Sequence, residues 1–70
     1  MDTLKVNGAE RQFAPGQMPA TLAALVEALN LDAGSLVAEV DGTIVAAGQF
    51  AQTSLSPGQS IELIKFMGGG

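Results

Sequence analysis

Two dipeptides, Asn7-Gly8 and Asp41-Gly42, each stand between short runs in which apolar and polar residues alternate, and they restrict the fold more than any other feature. Asn, Asp and Gly tolerate positive φ, which a two-residue type I′ turn requires at both central positions. Such a turn carries the twist of antiparallel strands, so each dipeptide predicts a hairpin. Thr3-Leu4-Lys5-Val6 reads as a strand with one buried face, and residues 10–13 return as its partner. Residues 36–40 and Thr43-Ile44-Val45 form the second pair. A fifth strand over residues 61–66 follows the tight turn expected at Ser56-Pro57-Gly58.

Between the hairpins the period changes. Leu22, Leu25, Val26 and Leu29 fall at i, i+3, i+4 and i+7, one apolar stripe on a helix of two to three turns. Ala23, Ala24 and Ala28 add helix propensity without bulk. Thr21 is placed to cap the helix with its hydroxyl, and Asn30 and Gly34 are both candidates for ending it. Residues 46–52 are poor in strand formers and suit a short helical turn with Phe50 pointing inward.

The order β-β-α-β-β-β places the helix between one hairpin and the remaining strands. To bury its stripe, the helix must lie on one face of the sheet. The crossover rule predicts that the strand after the helix runs parallel to its sheet neighbour. The last strand most simply fills the centre beside the first. The expected class is α+β: a β-grasp mixed sheet of four to five strands with one main helix on one face. Residues 1–67 are expected to form this domain, and residues 68–70 a flexible glycine tail.

Seventy residues suffice for one domain, and a core of this size is marginal without help. The chain has no Cys and no His, so disulfides are excluded and no metal site is expected. The core must come from sixteen Leu, Val and Ile residues with three Phe and three Met. Without His, Cys or Tyr there is no nucleophilic dyad, imidazole base or thiol redox pair, so the chain reads as a substrate of other enzymes and not as an enzyme. Net charge is −4, from seven acidic and three basic residues, with no basic stripe, which argues against nucleic acid and suits a basic protein surface. The longest apolar-rich stretch, residues 20–29, is too short to span a bilayer, and Met1-Asp2 opens no signal-peptide pattern. No membrane partner is expected, and a cytoplasmic setting is the default.

The sequence given closes on Gly68-Gly69-Gly70, directly after the apolar alternating run. Glycine lacks a Cβ, so such a segment fits a slot too narrow for other residues and presents an unhindered carboxylate. A frayed end or a cloning scar accounts for the same residues. Within the last strand, Ile61 and Leu63 share one face, and Ile64 and Phe66 share the other. If the first pair packs under the helix, Ile64, Phe66 and the adjoining Met67 form a docking surface beside the tail. The competing reading covers Ile64 and Phe66 with the connection over residues 46–55.

Hairpin, helix, further strands and terminal glycines together resemble the ubiquitin-like sulfur carriers, and within them the thiamine-biosynthesis sulfur carrier family, ThiS. The resemblance covers essentially the whole chain. It is most specific over Val40-Asp41-Gly42-Thr43-Ile44-Val45, Phe50-Ala51, Pro57-Gly58-Gln59-Ser60-Ile61-Glu62-Leu63-Ile64 and Phe66-Met67-Gly68-Gly69-Gly70. Leu4-Lys5-Val6-Asn7-Gly8 and the helix fit as well. Family members often carry a proline and a basic residue where this chain has Ala46 and Ala47, and a tryptophan where it has Phe50, which puts partner contacts around that loop in question.

The resemblance implies that an E1-like adenylating enzyme, using ATP and Mg²⁺, converts the Gly70 carboxylate to an acyl adenylate. Sulfur passed on by a sulfur-donor enzyme then gives a thiocarboxylate, and a thiazole synthase takes that sulfur into the thiazole of thiamine. Gly70 carries the reacting carbon, Gly69 keeps the channel clear and Gly68 gives reach. With no cysteine in the chain, sulfur carried reversibly would have to sit on the terminus. Two other Gly-Gly-ended classes stand beside this one: the small subunit of molybdopterin synthase, which is usually longer, and a ubiquitin-like modifier that forms isopeptide bonds. An interaction module with inert glycines is the third alternative.

Overall fold

The computed structural model describes residues 1–66; Met67, Gly68, Gly69 and Gly70, including the expected boundary between domain and tail, lie outside the described residues. Strands β1 (Asp2–Val6) and β2 (Ala9–Phe13) pair antiparallel, with Leu4 opposite Arg11 and Val6 opposite Ala9. Their turn has φ 51° at Asn7 and 83° at Gly8, the two consecutive positive values of type I′. The second hairpin, β3 (Leu36–Val40) with β4 (Thr43–Ala46), repeats the device with φ 50° at Asp41 and 88° at Gly42.

Helix α1 (Leu22–Ala28) is two turns long. Thr21 is extended, and its Oγ1 accepts from the Ala24 N–H at 3.1 Å, satisfying one of the donors a helix start leaves over. At the other end Asn30 takes φ 59°. Its N–H donates to the Glu27 carbonyl at 3.0 Å and the Leu31 N–H to the Val26 carbonyl at 3.1 Å. That is the double bond pattern of a Schellman stop. Asn30 therefore ends the helix. Gly34, the other candidate, belongs to a separate 3₁₀ turn, Ala33–Ser35, capped by the Asp32 carboxylate.

The sheet order is β2-β1-β5-β3-β4, with β5 (Ser60–Lys65) at the centre as expected. One expectation fails. The strand after the helix, β3, is antiparallel to both of its neighbours, β4 and β5. The parallel pair is β1 with β5. Because β2 and β3 each run opposite to the strand beside them, they do point the same way, as a crossover demands. They are not neighbours, because β1 and β5 stand between them. The gap arises because β5 inserts between the two hairpins, pairing with β1 on one side and with β3 on the other.

The core lies between the sheet and α1. Leu22, Leu25 and Val26 from the helix meet Leu4, Val6, Leu36, Ala38, Val40, Ile61 and Leu63 from β1, β3 and β5. Leu29 completes the stripe but is only partly buried. The connection after β4 forms a 3₁₀ segment, Ala47–Gln52, that delivers Phe50 to 1% exposure, the bulkiest of the fully buried side chains. Burying a ring of that size contributes roughly 2 kcal/mol to a small domain. The same connection is zipped to the helix start: the Leu22 N–H donates to the Thr53 carbonyl and the Leu55 N–H to the Ala20 carbonyl, both at 2.9 Å. Together these features make the ubiquitin-like β-grasp arrangement.

Candidate docking face and the strand that leads to the glycines

Strand β5 and the residue that follows it, Phe66, carry everything the sequence reading assigned to function within the described residues. Its odd positions, Ile61 and Leu63, enter the core at 0% and 9% exposure. Its even positions face away from the helix, and Ile64 is 44% exposed with Phe66, the residue after the strand's end, at 50%. The alternation of a pleated strand enforces this division. The connection over residues 46–55 does not cover them, because Phe50 and Leu55 pack into the core with the helix. Met67, the third residue of the expected docking surface, and Gly68, Gly69 and Gly70 lie outside the described residues.

Register shows what stands next to Ile64. Val37 is directly opposite it on β3, and Ala46 opposite Val37 on β4, so these three form an apolar rank across the open face. A second rank runs Glu62, Glu39 and Ile44, the last 71% exposed. Ile44 enlarges the apolar face, and sequence reading missed it. Its strand was legible, but its pairing with Glu39, which sets its face relative to Ile64, is a tertiary fact. Glu39 and Glu62 oppose each other in register, an arrangement that weakens a sheet. The face is therefore apolar at one end and doubly acidic beside it.

Two side chains hold β5 from the turns on either side. The Asn7 N–H donates to the Ile61 carbonyl at 2.8 Å, and Asn7 Oδ1 accepts from the Leu63 N–H at 2.7 Å. Across the strand, the Asp41 N–H donates to the Ser60 carbonyl at 2.8 Å and Asp41 Oδ1 accepts from the Ser60 N–H at 2.9 Å. The turn residues thus bind β5 through backbone and side chain alike. Sequence reading assigned them only to positive φ. The choice of Asn and Asp over a second Gly, each with a side-chain oxygen able to accept a hydrogen bond, was the available signal.

The described residues contain no pocket and no group of three or more Asp, Glu, His or Cys placed to hold a metal ion. Among them no helix is long and apolar enough to cross a membrane. What the site offers is a surface and a strand leading to residue 67.

The sequence profile of the ThiS family matches residues 4–70. The chain belongs to the ThiS family. Its backbone is similar to the crystal structure of the thiamine biosynthesis protein ThiS from Geobacter metallireducens, with a TM-score of 0.78 at 29% identity over 97% of this chain and 99% of that one. The solution structure of a thiamine biosynthesis protein from the same organism gives a TM-score of 0.75 at 30% identity, over 100% of this chain and 88% of that one. A further relative is a thiazole synthase from Paramagnetospirillum magneticum, 33% identical over 67 residues. That match takes in 96% of this ThiS chain but 20% of the relative, so the chain spans about a fifth of the length of the curated protein it matches.

Proposed function

We propose that this chain is a sulfur carrier in thiamine biosynthesis, loaded and unloaded at Gly70. An adenylating enzyme uses ATP and Mg²⁺ to convert the Gly70 carboxylate to an acyl adenylate, with pyrophosphate leaving. Sulfur delivered at the sulfide level by a donor enzyme then attacks the acyl carbon, AMP leaves with the bridging oxygen, and a thiazole synthase consumes the resulting thiocarboxylate. A carboxylate is a poor electrophile until one oxygen becomes a good leaving group, and adenylation supplies one. The charge that develops in that step is stabilised by the partner enzyme. The chain itself contributes position, and does no catalysis.

The observation that carries this reading is the division of β5. One face of the strand is locked in the core, the other presents Ile64 and Phe66 to solvent, and the chain runs from Phe66 through Met67 into three glycines. A handle fixed to a rigid body, with an apolar docking patch at its root, suits delivery of a terminal carbon into another protein. Family membership and the similarity to thiamine biosynthesis proteins support the same reading. Ile64, Phe66 and Met67 are the proposed docking residues, and Gly68 and Gly69 the segment threaded into the partner.

The test is the intact mass of the chain after incubation with ATP, a sulfur source and the adenylating enzyme. Replacement of one oxygen by sulfur at the terminus is the expected result. Adducts on lysine would make the chain a modifier instead. A native polypeptide that continues past Gly70 without being trimmed would overturn the proposal.

A further inference from the structure

Strand β5 is longer than the stretch of β1 that pairs with it. Register between the two covers Lys5 with Ser60 and Val6 with Ile61, after which β1 leaves the sheet at the Asn7-Gly8 turn. The bonds of β5 alternate from side to side. Glu62 and Ile64 face β3, and Phe66 continues that side by donating to the Ser35 carbonyl at 3.2 Å. Ile61, Leu63 and Lys65 therefore direct their backbone groups toward β1. The Ile61 carbonyl is taken by the Asn7 N–H and the Leu63 N–H by Asn7 Oδ1. Beyond them, the Leu63 carbonyl and the Lys65 N–H have no partner among the described residues. The centre of the sheet has an open edge two residues before Met67.

From this we infer that β5 accepts an extended segment of the adenylating enzyme as an added strand, in the place β1 would occupy had it continued. One residue of that segment donates its N–H to the Leu63 carbonyl and accepts from the Lys65 N–H, the parallel pattern that Asn7 makes one step earlier with Ile61 and Leu63. This rests on the proposed function, since the occupant is the enzyme that receives the glycines. Three observations select that occupant. The edge adjoins the residue from which the chain passes into the tail, so a protein gripping the tail is already beside it. Ile64 and Phe66 lie on the same stretch of strand and give such a protein apolar surface to rest on. A second copy of the chain is disfavoured, because each copy carries a net charge of −4 and presents Glu62 beside the edge. Main-chain pairing also fixes direction: an added strand orients the tail where side-chain docking alone leaves it free to pivot.

Proline separates this edge from the rest of the strand. Lys65→Pro deletes an N–H that the fold does not use, and proline is accepted where that group faces an open edge. The expected result is a folded protein whose ATP–pyrophosphate exchange falls about five- to tenfold in kcat/KM, the scale of one lost hydrogen bond. Lys65→Ala keeps the N–H and should retain exchange. A Lys65→Pro chain that folds and exchanges like the unaltered one overturns the inference while leaving adenylation standing. No exchange by the unaltered chain overturns both. Should the proline variant not fold, amide hydrogen exchange on the unaltered chain decides: the Lys65 amide should exchange fast when free and slow in the enzyme complex, with Ile64 protected in both. A Lys65 amide equally fast in the complex, or protected by raising the concentration of the chain alone, overturns the inference.

Discussion

Asn7 Oδ1 accepts a hydrogen bond from the backbone N–H of Leu63, 56 residues later in the chain, at 2.7 Å. The bond ties the first hairpin turn to the central strand where β1 gives out. Asn7 thus combines a backbone conformation that few residues tolerate, φ 51°, with an acceptor for a long-range partner.

Substitution at Asn7 should separate those two contributions. Asn7→Gly keeps the positive φ and loses the acceptor, costing about 1 kcal/mol. Asn7→Ala loses both and should cost about 2 kcal/mol, since a Cβ in the left-handed region adds its own penalty. Asn7→Asp retains an acceptor and should be the mildest. Urea denaturation ranks the three, and equal losses for Gly and Ala would remove strain from the account.

Phe50 reaches the core from a 3₁₀ segment outside the sheet and is 1% exposed. Phe50→Ala should destabilise by about 3–5 kcal/mol, a large part of what a domain this size possesses. A thermal melt followed by circular dichroism should show a broad transition at much lower temperature, or none. A melt within a few degrees of the unaltered protein would mean that the loop collapses to fill the cavity.

Glu39 and Glu62 stand directly opposite each other on the open face. Glu62→Gln should raise stability by about 0.3 kcal/mol at low ionic strength, since Glu62 is exposed and well screened. The gain should shrink as salt is added. Denaturation at two salt concentrations checks the sign, and a gain independent of salt would point away from charge repulsion.

Ile64 and Phe66 contribute little to the core and precede Gly68 by four and two residues in the sequence. The double change Ile64→Ser with Phe66→Ser should leave the fold intact by circular dichroism while weakening binding to the adenylating enzyme about tenfold or more. Calorimetric titration measures it. Unchanged affinity would move the docking surface elsewhere.

Gly69→Val should block activation by steric exclusion and leave the melting temperature unchanged, as should removal of Gly70. Leu25→Asp is the opposite control: it buries an unpaired charge in a side chain 1% exposed, and should unfold the domain. Pyrophosphate exchange and circular dichroism, run on all three, keep loss of chemistry distinct from loss of fold.

Local chemistry made much of this protein readable from its residues. The turns at Asn7-Gly8 and Asp41-Gly42, the cap at Thr21, the stripe of Leu22, Leu25 and Val26, and the inward Phe50 each follow from steric and hydrogen-bonding preferences within a few residues. The division of β5 into buried Ile61 and Leu63 and exposed Ile64 and Phe66 follows from a period of two and needs no partner strand. The last strand was also expected at the centre beside the first, and β5 lies there.

Pairing was beyond the reach of those preferences. That β3 runs antiparallel to β5, that Ile44 shares a face with Ile64, that Glu39 meets Glu62, and that Asn7 and Asp41 grip β5 all depend on which strands lie side by side. The open edge at Leu63 and Lys65 depends on where β1 stops relative to β5. Local sequence sets what each segment is and which side it buries, because those energies are short-ranged. Register joins residues tens of positions apart, and only the assembled sheet, in which β5 pairs with β1 on one side and β3 on the other, decides it.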